Sequence, residues 1–488
     1  MILLLLLLIP IVTGLTFPAF RNGIAVRYVA LGASAVNLLL TLGLLFGGQP
    51  ESYNIDWINY LGIQFSLGAD GISLVMIFLT NLLFPFVILA GFGRQQKNIP
   101  MLNLLILFAQ SALNGVFMAQ NAFLFYVFWE LALIPVYFIL LVWGGDDRKA
   151  ITLKFFIYTL AGSLFLLFGI IYLYQLTPGT HTTDFTAISQ LHIPENTQTW
   201  LFWVLFIAFA IKMPLFPFHT WQPPTYKMAS TQGAMILAGV MTKMGIYGIF
   251  RLILPVVPQG VVYWQNLIII LGIIGVIYAS VIAFKHTNLK TMIAYSSMAH
   301  ISLMAAAIFV INSYALQGVT FQVLSHGVTI AALFYISCLI KEKTGTTEFP
   351  QLGGLKLKTP GLAILFLIIL LGSIALPLTA GFVGEFLMIA GLYKQSLWFA
   401  LFGGLTMILG AIYMLYAYQR IMLGNQKAVF EKITDVVALD YVILVPLIVV
   451  TLGLGVYPQP IFDLVEKSIS SITNLAGPVA DVVSQIAR

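Results

Sequence analysis

Along this chain, apolar runs of about twenty residues alternate with short joints rich in polar residues, Pro or Gly. A helix rises about 1.5 Å per residue and the hydrocarbon core of a bilayer is about 30 Å thick, so roughly twenty apolar residues make one crossing. Cutting the chain at its joints predicts fourteen spans, at 1–19, 28–47, 73–93, 101–117, 121–142, 152–175, 200–217, 230–250, 262–284, 291–311, 315–340, 361–390, 396–419 and 441–457. The first run, MILLLLLLIP, carries neither a basic leader nor a small-residue cleavage site, and is expected to be span 1 and not a removed signal. The longest polar stretches, near 48–69, 176–199 and 341–360, are about twenty residues each, and no domain linker interrupts the pattern. The expectation is an all-α polytopic membrane protein of about fourteen transmembrane helices.

Composition agrees with the pattern and narrows the function. Of 488 residues, 60% are hydrophobic and 8% charged, with mean hydropathy +0.99. A soluble domain carries about 25% charged residues, so this chain cannot coat a water-facing surface. One cysteine, Cys338, excludes intrachain disulfides, Fe–S ligation and cysteine-based zinc sites. No Gly-rich nucleotide loop is present. No cofactor is expected in this chain, and redox or nucleotide chemistry is expected to belong to partner chains.

The net charge of +6 has a topological reading. Sorted by alternate loops, the 23 Lys and Arg fall 17 on one side and four (Arg251, Lys394, Lys467 and Arg488) on the other, with Lys212 and Lys243 inside spans. Cytoplasmic loops hold the excess of basic residues. The bias supports fourteen spans with both termini on the non-cytoplasmic side, and it accounts for the positive charge without nucleic acid.

The informative residues are those that an apolar span should not contain. An ionised group at the bilayer centre costs at least about 2.5–3.5 kcal/mol, and such groups persist when paired, hydrated or functional. Glu130 stands in YVFWELALIPVYFILLVW with no other charge between Lys97 and Asp146. Its bland alternative is a protonated carboxyl or a helix–helix tie. Lys212 stands in span 7, and Pro214 and Pro217 just after it break the helix. Broken helices survive at membrane depth only inside protein or beside a wet cavity. Lys243 lies in span 8 among small residues that permit close packing. For both lysines the bland alternative is snorkelling to the interface. His219 follows the break, His300 and His326 lie in spans 10 and 11, and His286 reads as a loop residue. A histidine's pKa near neutrality suits a proton relay, although a lone one in an apolar helix is often only a hydrogen-bonded core residue. Glu385 lies in span 12 beyond Pro377 and Gly381, a second candidate interruption, where its bland role is to cap a restarted half-helix.

Breaks in corresponding positions of two halves point to an internally repeated transporter. The separation of Pro214 and Pro377 amounts to about five spans. The expected division is 1–100 for spans 1–3, 101–254 for a first five-helix repeat, 255–424 for a second, inverted one, and 425–488 for span 14 and the tail. The expected row of proton-transfer groups is Glu130, Lys212, Lys243, His300 and His326, and Glu385, with His219 as a further member. Burial disfavours an ammonium and a nearby carboxylate favours it, so a change in the influence of Glu130 would alter the proton affinity of Lys212.

FYVFWELALIPVYFIL, IKMPLFPFHTW, NLKTMIAYSSMAHIS, LSHG and LPLTAGFVGEFL, in this order, resemble the antiporter-like subunits of respiratory complex I, the proton-pumping NADH:quinone oxidoreductase. LGADGISL at 67–74 and LGVYPQP at 454–460 fit the same family near its two ends. The resemblance implies fourteen helices in two inverted repeats with helices 7 and 12 broken, and it implies proton-transfer roles for Glu130, Lys212, Lys243 and Glu385. A glutamate at 385 and a short tail are similar to the M-type branch, where the N-type, the L-type and the multisubunit cation/proton antiporters typically carry lysine. It further implies neighbouring antiporter-like chains L and N, FMN, Fe–S clusters and quinone in partner subunits, and a bacterial inner membrane. The sequence departs from the family at WQPPTYKMAS (221–230), where an acidic WLPDA-like run is usual, and at NLK (288–290) in place of DLK. The alternatives are a subunit of a multisubunit cation/proton antiporter and a passive scaffold chain.

Overall fold

The computed structural model describes residues 1–20, 23–48, 50–425 and 433–486. Of the charges counted for sidedness, Arg21, Lys427, Lys432 and Arg488 lie outside the described residues. Among the described residues, twelve helices are long and apolar enough to cross a membrane: Ile2–Ala19, Gly23–Gly47, Gly71–Leu89, Ile99–Met118, Ala122–Trp143, Arg148–Leu176, Thr231–Ile253, Pro258–Lys285, Leu289–Ile308, Ser313–Thr344, Leu397–Met422 and Ala438–Val456. Each coincides with one of the sequence-derived spans. The two spans missing from this set, 7 and 12, are the two expected to be broken, and both are. One is Glu195–Lys212 followed by Gln222–Met228, and the other is Pro360–Ser373 followed by Ala380–Gln395.

Helix starts follow capping chemistry. Asp70, Asn121, Asn288 and Asn312 each accept a hydrogen bond from the backbone N–H three residues on, at 2.8–3.1 Å. Each satisfies a donor that has no partner inside the helix. The polar stretch 48–69 hides an element that the apolar pattern does not show, an antiparallel hairpin of Tyr53–Ile58 and Ile63–Leu67. Its turn ends on Gly62 at φ 62°, where a Cβ would meet the His181 carbonyl oxygen, so only glycine fits.

The chain forms two compact units. The first comprises Met1–Pro214, Val240–Ile268 and the stretch from Leu464. Its four N-terminal helices are tied by buried amides. Asn81 donates to Thr41 Oγ1 (2.8 Å), Gln110 donates to Asn81 Oδ1 (2.8 Å), and Asn37 donates to the Leu6 carbonyl (2.9 Å). Side-chain hydrogen bonds of this kind hold helices together where lipid removes the hydrophobic drive for helix association.

The second unit comprises Leu215–Gly239 and Ile269–Asp463. Its Leu289–Ile308 and Ser313–Thr344 helices are buried on almost every face, and Ser313–Thr344 packs closely on Ala380–Gln395. Small residues permit that approach. A Cβ on Gly318 would lie 2.7 Å from the Met388 amide, and one on Gly391 would lie 2.6 Å from Ala315 Cβ. A helix that is apolar and buried all round lies inside a bundle and away from lipid, and His300 and His326 sit on these helices.

Candidate proton-transfer sites

In the first unit, Lys212 is the last residue of its half-helix, which stops before Pro214, and its side chain is only 3% exposed. The carbonyl end of a helix favours a cation. Its ammonium lies 4.8 Å from the centroid of the Trp129 ring, one residue from Glu130, whose carboxylate acts on it electrostatically. Snorkelling therefore does not describe it. Trp129 is in turn braced edge-on by Phe209 from the lysine's own helix. Glu130 is half-buried, and its Oε1 is enclosed with no hydrogen-bond partner among the described residues. Trp129 went unnoticed in the sequence because an aromatic residue in an apolar helix is unremarkable until a cation is seen above it.

Lys243 is fully buried, again excluding snorkelling, and lies between two wide turns of its helix, Leu237–Met241 and Ile249–Ile253. In the second of these the Leu254 N–H reaches back five residues to the Ile249 carbonyl (3.0 Å). Such π turns recur at functional sites. Gly245 lets the helix close onto its neighbour, where a Cβ would lie 2.7 Å from the Phe209 carbonyl oxygen.

One turn beyond Lys243, Tyr247 donates to the Phe117 carbonyl (2.9 Å) and lies 2.9 Å from Ser73 Oγ. Arg251 donates to that same Ser73 hydroxyl (2.8 Å) and pairs with Asp70. Burial pushes the Asp70 carboxyl up, but the Arg251 charge and hydrogen bond and the Ser73 amide outweigh it and hold it below its ordinary value. Asp70 and Arg251 thus form an ion pair that ties this helix to the start of Gly71–Leu89.

The second unit gathers the remaining groups. Glu385, fully buried in the restarted half of the broken span 12, lies with Oε1 2.6 Å from His300 Nδ1 and accepts from Gln322 Nε2 at 3.2 Å. The rings of His300 and His326 are 5.6 Å apart. Gln322 and His326 lie one turn apart on one helix face, as do Ser296 and His300. Ser296 accepts from the buried Tyr413 hydroxyl (3.0 Å). Gly384 makes room for this arrangement, since a Cβ there would meet Gln322 Oε1 at 2.5 Å. Glu385 is therefore a member of a titratable cluster and not a cap. His219, buried just past the other break, places Nε2 3.3 Å from the Tyr278 hydroxyl and stacks on Phe216.

The charged groups stand on opposite sides of the two breaks. Lys212 ends the half-helix before its break, at the carbonyl pole, while Glu385 sits in the second turn after its break, held by His300 and Gln322. Among the described residues, no three His, Cys, Asp or Glu side chains gather to hold a metal.

Residues 119–412, well over half of the chain, match the family described as NADH:quinone oxidoreductase/Mrp antiporter, TM. The chain belongs to this family. It is 37% identical over 463 residues to NADH-quinone oxidoreductase subunit M of Rickettsia typhi, with 93% of each chain covered. It superposes with TM-score 0.90 on a chain of respiratory complex I from Thermus thermophilus solved with bound NADH, at 28% identity over 98% of this chain and 100% of that one. A chain of the Mrp complex from Dietzia sp. matches with TM-score 0.85 at 19% identity, over 98% of this chain and 97% of that one, and shows a shared fold. Among the described residues, twelve helices long and apolar enough to cross a membrane and two interrupted ones describe a multi-pass membrane chain of this family.

Proposed function

We propose that this chain is a membrane-arm subunit of an NADH:quinone oxidoreductase and translocates protons through its buried ionisable groups, driven by quinone reduction elsewhere in the complex. The observation that carries the reading is the His300–Glu385–Gln322 cluster in the restarted half of a broken helix, an almost entirely buried titratable contact. Two unit charges about 4 Å apart interact by about 4 kcal/mol at an effective dielectric of 20, enough for the charge on one group to decide the proton occupancy of its neighbour. A proton arriving on His300 creates an ion pair with Glu385, and removing either charge releases it. Lys212 beside Glu130, and Lys243 between its π turns, are the corresponding groups of the first unit.

The identity to subunit M relatives supports placement in that complex. On this reading the two interrupted helices complete a set of fourteen spans, 101–254 and 255–424 are inverted repeats, and both termini face away from the cytoplasm of a bacterial inner membrane. The neighbours are the antiporter-like chains L and N, and FMN, Fe–S clusters and quinone belong to other subunits. A subunit of a multisubunit cation/proton antiporter is the second reading, supported by the fold shared with the Mrp chain. It predicts proton flux that follows sodium gradients and not NADH.

The test is Lys212→Met in inverted membrane vesicles, with assembly verified on a native gel and proton pumping measured together with NADH:quinone turnover. Loss of pumping is expected, with or without loss of coupled turnover. Wild-type pumping and turnover would leave Lys212 a structural residue and favour a scaffold role.

A further inference from the structure

Protons must reach these buried groups from water, and the second unit carries a cavity suited to the task. It measures about 360 Å³ and is lined by Lys227, His286, Asn288, Tyr295 and Glu348, among others. Its end of the unit is the one rich in basic residues, with Lys227, Lys285, Lys290, Lys341 and Lys343 at the adjoining helix ends. His286 is half-exposed, directly after the end of the Pro258–Lys285 helix, and its ring stacks on Tyr295 with centroids 5.4 Å apart and planes 14° from parallel. Tyr295 and Tyr278 pack against the same buried cluster of Ala279, Met298 and Ala299. The Tyr278 hydroxyl lies 3.3 Å from Nε2 of the buried His219. His286, Tyr295 and Tyr278 are all partly buried, and His219 at the far end is buried.

We propose that this cavity is the aqueous mouth of a proton-uptake route, in which His286 takes protons from cavity water and passes them by way of Tyr295 and Tyr278 to His219. The proposal rests on the proton-translocating reading above and assigns its water-side residue. A phenol accepts one proton as it donates another, so neither tyrosine needs to ionise. The charged groups facing His286 are Lys227 from the Gln222–Met228 helix, Glu348 from the segment before Phe349, and Lys285 on its own helix; Tyr295 is the titratable neighbour from Leu289–Ile308. Burial and then the Lys227 charge push the imidazole below its ordinary value, against a smaller upward pull from Glu348. His286 is therefore mostly neutral at pH 7, ready to accept a proton and quick to release one. Glu348 is held at the rim by Asn288 Nδ2 (2.7 Å) and Thr287 Oγ1 (3.2 Å).

The experiment uses the assembled complex in inverted vesicles, with His286→Ala, His286→Gln and Tyr295→Phe, read as NADH-driven membrane potential and coupled turnover from pH 6 to 8.5. NADH:ferricyanide activity serves as the assembly control. His286→Ala is expected to lower coupled turnover about threefold or more at pH 8, where free protons are scarce, and less at pH 6. Millimolar imidazole, a diffusible base small enough for the vacated space, is expected to restore the alanine variant toward wild type. Wild-type rates in both His286 variants at every pH overturn the mouth. So does a loss that is flat with pH and not restored by imidazole, which marks a packing defect. Lys212→Met separates the two readings. If it pumps normally, the proton-translocating function itself falls, whereas a dead Lys212→Met beside a normal His286→Ala sinks only this route.

Discussion

At the scale of single residues, the decisive contacts join side chains that are ordinary in sequence. Gln322 reads as one polar residue in a long apolar helix, yet its amide donates to the same Glu385 oxygen that His300 approaches. Replacing Gln322 with Leu removes the donor and keeps the bulk. A buried carboxyl that loses one partner costs about 1–3 kcal/mol, so the complex should assemble while pumping falls below wild type in vesicles with ferricyanide activity intact. Unchanged proton yield in that variant would relegate Gln322 to filler. Trp129 belongs in the same category, because only the position of Lys212 over its ring turns an aromatic core residue into a partner of the charge. The choice among His219, His300 and His326 was also open from sequence. Of the three, His300 is the one that meets Glu385 directly, with His326 as its ring neighbour.

At the scale of elements, both breaks were legible because Pro removes a backbone donor and clashes with the preceding turn. Where each half ends was not legible. The second helix stops at Ser373 and resumes at Ala380, three residues after Pro377, through Ala375 and Leu378 at positive φ. Gly381 is what lets the restarted half sit against the stopped one, since a Cβ there would lie 2.3 Å from the Gly372 carbonyl oxygen. That atom is backbone and cannot swing aside. Gly381→Ala should therefore cost about 1–3 kcal/mol, the range for overpacking, visible as a lower melting temperature of the complex in detergent. Gly404→Ala is the control, since its Cβ would meet nothing nearer than Ile389 Cδ1 at 3.8 Å. Equal melting temperatures for both variants would remove the close-approach argument. The π turns around Lys243 have no sequence signature of this kind, because GAMILAGVMTKMGIYGIF is compatible with an uninterrupted helix. They depend on how the neighbouring helices pack.

At the scale of the whole molecule, sidedness is the property to test. By the asymmetry of Lys and Arg, the Lys285 loop is expected on the cytoplasmic face and the Lys394 loop on the opposite one. Cys338, the single cysteine, is buried, and a Cys338→Ser background gives a chain free of thiols. Single cysteines placed at 285 and at 394 should then react with a membrane-impermeant maleimide from opposite faces, position 285 in inverted vesicles and position 394 in intact spheroplasts. Labelling of both from one face would mean that the count of crossings between them is wrong. Such a result would also put the His286 cavity on the wrong side for proton uptake.

From the sequence alone one could read the bilayer as solvent, the places where the chain crosses it, the two interruptions, and the ionisable groups that apolar surroundings make expensive. These properties are local, since hydropathy over twenty residues, proline chemistry and charge between loops need no knowledge of distant contacts. Tertiary structure alone decided which of those groups meet. His300, Gln322 and Glu385 come from three different helices, brought together by glycines that allow close approach. It decided as well that Asp70 and Arg251, 181 residues apart, form an ion pair. The hairpin at 53–67 and the cavity beside His286 have the same origin. Each depends on the direction of side chains across helices distant in sequence, and hydropathy carries no information about direction.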